Sequence, residues 1–541
     1  MQYCDNKVEV DVNKLKDYYQ EYFKKKNLET YDDICNNKIV KNFIFEQRNS
    51  EFNHKIDQEK FAKLIKNLPN NKAVGISDVS YEMVKYANNQ KLNGHLRAIF
   101  EAIINFQTMP YLFNISIIKP LIKDPKKPNN DITNLRPVAI SDCLSNLFES
   151  ILLDMLNDEH NDHFKQFGFK KNSSCQHAVW TAKQAIEKCV RTRKWAYICA
   201  IDASKAFDKV NRIKLWKELI KKKLSPCIII NLIKYYDISL MLVNNNDFFS
   251  TIFKTEVGVR QGGKASPKLF AIYTEKFLDR ISKSDLGVKL SYTKIDIIAY
   301  ADDLLLISNT KKALQEMLDI ISEVGKELEI KFNPNKTVYT VFNRHVARTS
   351  QDRKDDLWQN KLCLEGEEIK RVDGIKYLGV ELNQDLNDIH HIDKKIKAAR
   401  IALAKLKTLE VLTQNTSAFL KGHLYKTYIM PVLYFGLENI NLTIKNIKTV
   451  QKAENNLLRY TFYIPKRCRI SNLKLANNLN NTGSKLKSIQ IEFFERLMNN
   501  KYTKSIIKDL LLDTNDTDYI SKILNILAEI ECADNIDLIG R

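Results

Sequence analysis

The chain has 541 residues, which is enough for several domains of about 100–200 residues and excludes a single small binding module. Hydrophobic residues make up 44% and charged residues 28% of the chain, so collagen-like and linker-like compositions are excluded. The 85 Lys and Arg against 65 Asp and Glu leave a net charge of +20. This excess favours a polyanionic partner such as nucleic acid.

Cysteine spacing and hydropathy indicate the cellular compartment in which the protein resides. The closest two of the ten cysteines, Cys189 and Cys199, are ten positions apart, which argues against a zinc ribbon and indicates reduced thiols. No stretch approaches the roughly 20 apolar residues of a membrane span, and the first dozen residues lack a signal-peptide core. We therefore expect an intracellular protein without membrane association, in the nucleus or the cytoplasm.

The first two regions of the chain differ in pattern. Residues 1–69 are predicted to form a helical N-terminal extension, because apolar residues recur every three to four positions between Val12 and Leu68. Residues 70–195 are predicted to form a basic lobe. Its part up to Pro137 is interrupted by prolines, which favours strands and loops over long helices.

The next regions predict a mixed sheet followed by helices. In residues 196–386, short apolar runs alternate with helical patterns, which is typical of strands crossed by helices in one mixed sheet. A helix is predicted from Lys311 to Leu328. Residues 387–475 read as basic helices, because residues 390–475 hold 16 Lys or Arg against 4 Asp or Glu, a local charge of 16 − 4 = +12.

Adjacent carboxylates give the clearest chemical signal. Two apolar runs flank Asp302 and Asp303, which predicts a β-hairpin with both acids at its tip. Another apolar run ends at Asp202. If the strands are sheet neighbours, Asp202 and Asp302 converge, and their repulsion requires cations. Oxygen ligands select Mg²⁺ over zinc, and two such ions can activate an attacking hydroxyl and stabilise a leaving pyrophosphate. An ordinary solvated Asp-Asp turn is the alternative.

Several motifs, in this order and spacing, resemble those of reverse transcriptases, in particular the family encoded by non-LTR (LINE-type) retrotransposons. The strongest are Asp202-Ala203-Ser204-Lys205-Ala206-Phe207-Asp208-Lys209-Val210, Gly258-Val259-Arg260-Gln261-Gly262 with Ser266-Pro267, and Tyr300-Ala301-Asp302-Asp303. Further matches are Asn134-Leu135-Arg136-Pro137-Val138, Gln166-Phe167-Gly168-Phe169, Phe332-Asn333-Pro334-Asn335-Lys336-Thr337, Tyr377-Leu378-Gly379-Val380 and Tyr425-Lys426-Thr427-Tyr428-Ile429-Met430-Pro431. The resemblance departs from the family at Gly263-Lys264-Ala265, where an apolar trio such as Cys-Pro-Leu is usual. The shape of this loop and its effect on activity stay open.

The resemblance implies an α+β fold, namely a right-hand polymerase with a mixed palm sheet and a helical thumb. Residues 70–195 would be the fingers, residues 196–386 the palm with the catalytic carboxylates, and residues 387–475 the basic thumb. Residues 476–541 would form a helical C-terminal cap with an acidic end. The implied activity is RNA-directed DNA polymerisation, in which the 3′-hydroxyl of a primer is extended with dNTPs by two-metal phosphoryl transfer.

Individual residues acquire roles from the same resemblance. Asp202, Asp302 and the carbonyl oxygen of Ala203 would ligate two Mg²⁺ ions, with Mn²⁺ as a possible substitute, and Asp303 would be an auxiliary ligand or an electrostatic support. Lys336 resembles the lysine that protonates the leaving pyrophosphate. As one of many lysines, it is equally explained as a solvated cation.

Other residues would bind the nucleotide and the nucleic acid. Lys123 and Arg136 would bind the triphosphate, although a solvated surface cation is the alternative for each. Gln261 and Gly262 would lie under the incoming nucleotide and the template base. Phe207 would exclude a ribose 2′-hydroxyl, with a residue of the palm core as its alternative. The thumb would grip the sugar-phosphate backbone through Lys394, Lys395, Lys397 and Arg400.

The partners implied are an RNA template, a DNA primer and dNTPs. No endonuclease, RNase H segment or Cys/His knuckle is recognisable in the sequence, so we expect either a fragment of a longer reading frame or a separate endonuclease as a partner. Three rivals stay open: an RNA-dependent RNA polymerase, a group II intron-type reverse transcriptase, and a decayed or domesticated protein that binds nucleic acid without catalysis. Which RNA is copied and the oligomeric state do not follow from the sequence.

Overall fold

A computed structural model describes residues 8–25, 30–203, 206–342, 361–384, 386–512 and 519–529. Ser204 and Lys205 of the first motif lie outside the described residues, as do most acidic residues of the C-terminal end. The chain divides into two compact units. The first comprises Met1–His163, Ala203–Asp279 and Glu323–Lys331, and the second comprises Phe164–Asp202, Arg280–Ser322 and Phe332–Arg541.

The helices of the described residues, in chain order, are α1 (Val12–Tyr22), α2 (Tyr31–Gln47), α3 (Gln58–Lys66), α4 (Tyr81–Tyr86), α5 (Gln90–Asn105), α6 (Cys143–Glu159), α7 (Cys175–Arg191), α8 (Arg212–Lys221), α9 (Pro226–Asp237), α10 (Ser266–Lys283), α11 (Lys311–Leu328), α12 (Ile389–Thr408), α13 (Ala418–Leu424), α14 (Met430–Tyr434), α15 (Ile444–Phe462), α16 (Ser471–Ala476), α17 (Thr482–Met498), α18 (Lys501–Leu511) and α19 (Tyr519–Glu529). The strands are β1 (Ile115–Ile122), β2 (Leu135–Ser141), β3 (Ala196–Ile201), β4 (Leu240–Asn245), β5 (Phe248–Phe249), β6 (Phe253–Lys254), β7 (Val288–Lys289), β8 (Lys294–Ile295), β9 (Ile297–Tyr300), β10 (Asp303–Ser308), β11 (Val338–Phe342), β12 (Cys363–Leu364), β13 (Glu367–Glu368), β14 (Lys370–Arg371), β15 (Gly374–Tyr377) and β16 (Val380–Asn383).

The first unit is built on a sheet in the order β2-β1-β4-β5, with β6 paired to β4. Helix α1 packs on this sheet because Leu15 and Tyr19 are buried together with Ile118 and Val243. The helices predicted between residues 12 and 68 are confirmed as α1, α2 and α3. The N-terminal extension is therefore part of this unit's core.

The prediction of strands and loops up to Pro137 is wrong for its first part. Helix α5 spans Gln90–Asn105 and buries Phe100, Ile103 and Ile104 at the spacing of one helical face. The prolines after Asn70 begin only at Pro110, so nothing in the earlier part interrupts a helix.

The second unit is built on a sheet in the order β14-β11-β3-β10-β9. Neighbours pair antiparallel except β11 and β14, which are parallel, so the predicted mixed sheet is confirmed. The helix predicted from Lys311 to Leu328 is confirmed as α11. The expectation that one sheet holds all the strands of residues 196–386 is wrong, because β4 pairs parallel with β1 in the other sheet.

The remainder of the second unit is helical. Helix α12 buries Ile392, Ile396, Ala399 and Leu403, and these side chains form a core with α13, α14 and α15. Helices α17, α18 and α19 instead pack into the core beneath β3, β9 and β10. The boundaries of the two units differ from those of the five predicted domains. The division into five domains therefore stays a prediction.

Two sequence expectations concern the whole of the described chain. The cysteines among the described residues are all free thiols, as predicted. No helix in the described ranges is long and apolar enough to cross a membrane.

Candidate active site

Asp202, Asp302 and Asp303 lie at one edge of the second unit's sheet. Strand β10 pairs antiparallel with β3, and Leu304 lies opposite Ile201. In this register, the residue that follows β3 and the first residue of β10, Asp202 and Asp303, are neighbours. Asp302 occupies the turn between β9 and β10. The predicted strand neighbours are confirmed, and the sheet places Asp303 beside Asp202 with Asp302 in the adjoining turn.

The carboxyl group of Asp303 is affected by its two acidic neighbours. Loss of solvation, followed by the charges of Asp302 and Asp202, raises the pKa of Asp303 from its ordinary 3.8 to about 6, because a nearby like charge disfavours the ionised form. Among the described residues, no group of three or more His, Cys, Asp or Glu side chains is already arranged as a metal centre. The donor chemistry nevertheless fits Mg²⁺ or Mn²⁺, and a divalent cation would offset the repulsion that raises this pKa.

Lys336 lies beside this cluster, with its Nζ atom 3.8 Å from Oδ2 of Asp202. The turn that carries Lys336 is tied to the end of β3 by two hydrogen bonds. The N–H of Asn333 donates to the carbonyl oxygen of Asp202 at 2.9 Å, and the N–H of Asp202 donates to Oγ1 of Thr337 at 3.3 Å. The two side chains are 69% and 41% exposed, so solvent weakens the ion pair. The ion pair places Lys336 at the carboxylate edge, and its role as a proton donor stays a prediction.

The turn before Asp302 is held by residues to which the sequence analysis assigned no role. Ala301 has a left-handed φ of +57°, which is unfavourable for a residue with a Cβ. Oε1 of the buried Gln166 accepts the N–H groups of Ala301 at 3.0 Å and of Gly168 at 2.9 Å. A Cβ on Gly168 would lie 2.5 Å from the nitrogen of Ala301. The signal in the sequence was the Gln166-Phe167-Gly168-Phe169 motif, which matched the family without indicating that it supports this turn.

In the first unit, Lys123 and Arg136 lie on one face of the β1–β2 hairpin. Arg136 pairs with Leu121, and the N–H of Lys123 donates to the carbonyl oxygen of Asn134 at 2.8 Å. Positions two apart on a strand point to the same side, so Arg136 and Lys123 share a face. Both side chains are exposed, which leaves an accessible pair of cations suited to phosphate oxygens.

The segment that carries Gln261 and Gly262 lies against β2 of the same hairpin. The N–H of Ala139 donates to the carbonyl oxygen of Gln261 at 2.8 Å. Gly262 has a φ of +113°, and a Cβ there would lie 2.6 Å from the carbonyl oxygen of Ala139. Glycine is therefore required for this close approach. The backbone at Gly262 remains exposed.

Phe207 belongs to the same unit and is half-buried. Its ring stacks on Phe270 of α10, with the ring centroids 4.0 Å apart and the planes inclined by 16°. The N–H of Val259 donates to the carbonyl oxygen of Phe207 at 3.0 Å, which links the turn of Phe207 to the segment before Gln261. Ala203 directly follows Asp202, so chain connectivity alone keeps its carbonyl oxygen near the end of β3.

The unusual Gly263-Lys264-Ala265 loop covers a buried carboxylate, which the sequence analysis did not identify. Glu149 on α6 is fully buried, and burial raises its pKa. Its Oε2 accepts the N–H of Lys264 at 2.8 Å, a bond that a proline at this position would abolish. A Cβ on Gly263 would lie 2.8 Å from Oε1 of Glu149 and 2.6 Å from Oγ of Ser266. Gly263 and Lys264, which depart from the family pattern, are therefore the residues that lie against Glu149.

The four cations that were predicted to bind nucleic acid all lie on α12, but their side chains have different environments. They are Lys394, Lys395, Lys397 and Arg400. Lys394 forms an ion pair with Glu381 at 2.8 Å. The Nζ atom of Lys395 lies 4.2 Å from the ring centroid of Phe435, and partial burial lowers its pKa. Lys397 and Arg400 are exposed and lie three residues apart on one helical face.

Comparison with known proteins gives concordant results. Residues 125–382 match the model of the family described as reverse transcriptase (RNA-dependent DNA polymerase). The chain is 24% identical over 458 residues to the probable RNA-directed DNA polymerase from transposon BS of Drosophila melanogaster, which covers 81% of this chain and 48% of the relative. It is 22% identical over 468 residues to the RNA-directed DNA polymerase from mobile element jockey of Drosophila melanogaster, which covers 84% of this chain and 48% of the relative.

The chain thus spans about half the length of these relatives. Among solved structures, telomerase from Candida albicans in complex with a fragment of telomeric RNA aligns with a TM-score of 0.38 and 13% identity, covering 97% of this chain and 88% of that one.

Proposed function

The chain belongs to the reverse transcriptase family encoded by non-LTR retrotransposons, and on this premise we propose that it extends the 3′-hydroxyl of a DNA primer with dNTPs on an RNA template. The observation that carries the proposal is the convergence of Asp202, Asp302 and Asp303 at one sheet edge. A decayed protein that only binds nucleic acid would not need this arrangement, since like charges held together cost stability.

The carboxylates would hold two divalent cations, Mg²⁺ or Mn²⁺, with the carbonyl oxygen of Ala203 as a further ligand. When bound, these ions would stabilise the charge that develops on the attacking and leaving oxygens. Asp202 and Asp302 would supply ligand oxygens to both ions, and Asp303 would be an auxiliary ligand or an electrostatic support. Lys336 would donate a proton to the leaving pyrophosphate, because its ammonium group lies 3.8 Å from Asp202.

The first unit would bind the incoming nucleotide. Lys123 and Arg136, two exposed cations on one face of a hairpin, would hold the triphosphate. Gln261 and Gly262 would lie beneath the base, since the exposed Gly262 lets a ligand approach the backbone. The fingers, palm and thumb would correspond to residues 70–195, 196–386 and 387–475. The exposed cations of α12 would contact the phosphates of the template–primer duplex.

Phe207 would set the preference for deoxyribose by steric overlap with a 2′-hydroxyl. The stacking of its ring on Phe270 at 4.0 Å supports this role, because a ring fixed in orientation can exclude a substituent. Phe207→Ala is expected to raise ribonucleotide incorporation far more than it lowers deoxynucleotide incorporation. The measurement is kcat/KM for matched ribo- and deoxynucleotides, together with the melting temperature. Lower stability with an unchanged ratio would make Phe207 a core residue and would reopen the RNA polymerase alternative.

The test of the proposed function is primer extension by the purified chain. A DNA primer annealed to RNA should be extended when dNTPs and Mg²⁺ or Mn²⁺ are supplied, and the Asp202→Ala, Asp302→Ala, Asp303→Ala triple variant is the matched control. Binding of the template–primer without extension by the wild-type chain would favour a domesticated binding protein. Extension with ribonucleotides alone would favour an RNA polymerase. A separate endonuclease is a further proposed partner, to be sought by adding nicked and intact target DNA to the same assay.

A further inference from the structure

A second carboxylate, outside the proposed metal cluster, links three segments of the first unit. Asp208 is 3% exposed. Its Oδ2 accepts the hydroxyl of Tyr22 at 2.7 Å, and its Oδ1 accepts Nε2–H of Gln261 at 2.6 Å. Tyr22 is the last residue of α1, and it lies far outside residues 125–382, which match the family model.

The backbone fixes the position of the Asp208 carboxylate relative to Gln261. The N–H of Gly258 donates to the carbonyl oxygen of Val210 at 2.8 Å, and that of Val259 donates to Phe207 at 3.0 Å. Gly258 has a φ of +85°, and a Cβ there would lie 2.6 Å from the carbonyl oxygen of Asp208. The turn of Asp208 and the segment leading to Gln261 are therefore held together on both sides.

The end of α1 is held against the same two segments. The N–H groups of Glu256 and Val257 donate to the carbonyl oxygen of Phe23 at 3.0 and 3.2 Å. The ammonium group of Lys209 donates to the carbonyl oxygen of Tyr22 and lies 4.7 Å from the centroid of its ring. The hydroxyl of Tyr22 thus reaches Asp208 from a helix end whose position is already defined.

Both oxygens of the Asp208 carboxyl group accept hydrogen bonds, and this determines the orientation of the Gln261 amide. The NH₂ edge of the amide must face Asp208, so the carbonyl edge of the same group is turned away from it. The Tyr22 hydroxyl occupies the other carboxylate oxygen, which limits rotation of the Asp208 side chain. The amide of Gln261 is therefore presented in one orientation rather than two.

We infer that Tyr22 and Asp208 form a positioning pair that orients the side chain of Gln261 toward the incoming nucleotide. The inference rests on the proposed function, because it assumes that Gln261 contacts the nucleotide. It makes the N-terminal helix, through a single hydroxyl, a determinant of nucleotide affinity. Tyr22 and Asp208 touch no reacting atom, so their loss should raise KM for the dNTP while kcat changes little.

The experiment compares single hydroxyl deletions on one helix. Tyr22→Phe keeps the ring and removes the donor to Asp208, whereas Tyr19→Phe removes a buried hydroxyl that has no hydrogen-bond partner among the described residues. We expect Tyr22→Phe to raise KM for the dNTP about tenfold, as for a hydrogen bond to a charged group. Tyr19→Phe should stay within about twofold of wild type. Tyr22→Phe is expected to lower the melting temperature modestly, because it removes a donor from a buried carboxylate, so KM is compared at a temperature at which both variants are folded.

A double-mutant cycle separates positioning from a general structural role. In a Gln261→Ala background, Tyr22→Phe should no longer change KM, since the group to be oriented is absent. Asp208→Asn should restore most of the affinity lost in Asp208→Ala, because its carbonyl oxygen still accepts from Gln261 and its amide can donate to Tyr22.

The outcomes distinguish this inference from the proposed function. If wild type extends primers and Tyr22→Phe leaves KM unchanged, or changes it equally with and without Gln261, the positioning pair is refuted while the polymerase assignment stands. If wild type does not extend primers, both are overturned.

Discussion

The two ends of strand β9 carry aspartates in opposite electrostatic situations. At one end, Asp296 is fully buried, and its Oδ1 accepts a hydrogen bond from Nζ of the buried Lys165 at 2.5 Å. The Nζ atom of Lys294 lies 3.3 Å from Oδ2. At the other end, Asp302 and Asp303 lie close to Asp202, and the pKa of Asp303 rises to about 6.

The difference is between a carboxylate that is paired with lysines inside the fold and a cluster of carboxylates in which like charges lie close together. A buried carboxylate without a nearby cation would lower the free energy of unfolding by roughly several kcal/mol. In this protein, Lys165 and Lys294 supply the cations that lie beside Asp296. Like charges held together at a sheet edge weaken ionisation instead of stabilising the fold. At that edge the exposed Lys336, 3.8 Å from Asp202, offsets only part of the negative charge, and the divalent cations of the proposed function would offset the rest.

The largest expected effect is at the carboxylate edge. Asp302→Asn should lower primer extension by more than about 100-fold, because an amide cannot supply the negative oxygen that draws the metal ions together. The melting temperature should not fall, since the variant also removes a charge that repels Asp303. Extension within about tenfold of wild type would show that the metal site is wrongly assigned. NMR titration should find the pKa of Asp303 lower than in wild type.

At the opposite end of β9, a substitution should change the stability of the protein rather than its polymerase activity. Lys165→Met leaves Asp296 without its closest cation and should destabilise the second unit by about 3–5 kcal/mol, as for other broken buried pairs. Denaturant unfolding followed by circular dichroism measures this loss. Adding Asp296→Leu to the variant should recover part of the stability, because the buried carboxylate is then gone and Lys294 keeps its hydrogen bonds to the carbonyl oxygens of Ser282 and Ser284. Equal losses in the single and double variants would contradict the comparison.

The smallest effect is expected at the four cations of α12, of which Lys397 and Arg400 are exposed. Replacing Lys394, Lys395, Lys397 and Arg400 by alanine should weaken template–primer binding for unrelated sequences alike. It should also flatten the salt dependence of binding by about one unit of slope for each phosphate that the variant no longer neutralises.

Pairwise variants sharpen this prediction. Lys397→Ala with Arg400→Ala should account for most of the change in slope, since Lys394 is paired with Glu381 and Lys395 lies over Phe435. Affinity measured from about 50 to 200 mM salt decides the point. An unchanged slope in the quadruple variant would place the duplex elsewhere.

Local patterns in the sequence were reliable where one chemical constraint dominates. Two apolar runs around Asp302 and Asp303 predicted the hairpin that β9 and β10 form. The apolar stripe from Lys311 to Leu328 predicted α11 with its bounds. Prolines misled the prediction at α5, because their influence was extended to a stretch that contains none.

The sequence by itself determined the hairpin that carries Asp302 and Asp303 and the resemblance to reverse transcriptases, since both depend on residue types at short spacings along the chain. Only the tertiary structure decided that β4 joins the sheet of β1, that Gln166 braces the turn before Asp302, and that Tyr22 reaches Asp208 across 186 positions. Each is an interaction between residues distant in sequence, and its formation depends on how buried surfaces meet. Periodicity and motif spacing describe the segment around one residue of such a pair, so they could not identify the distant residue that it contacts.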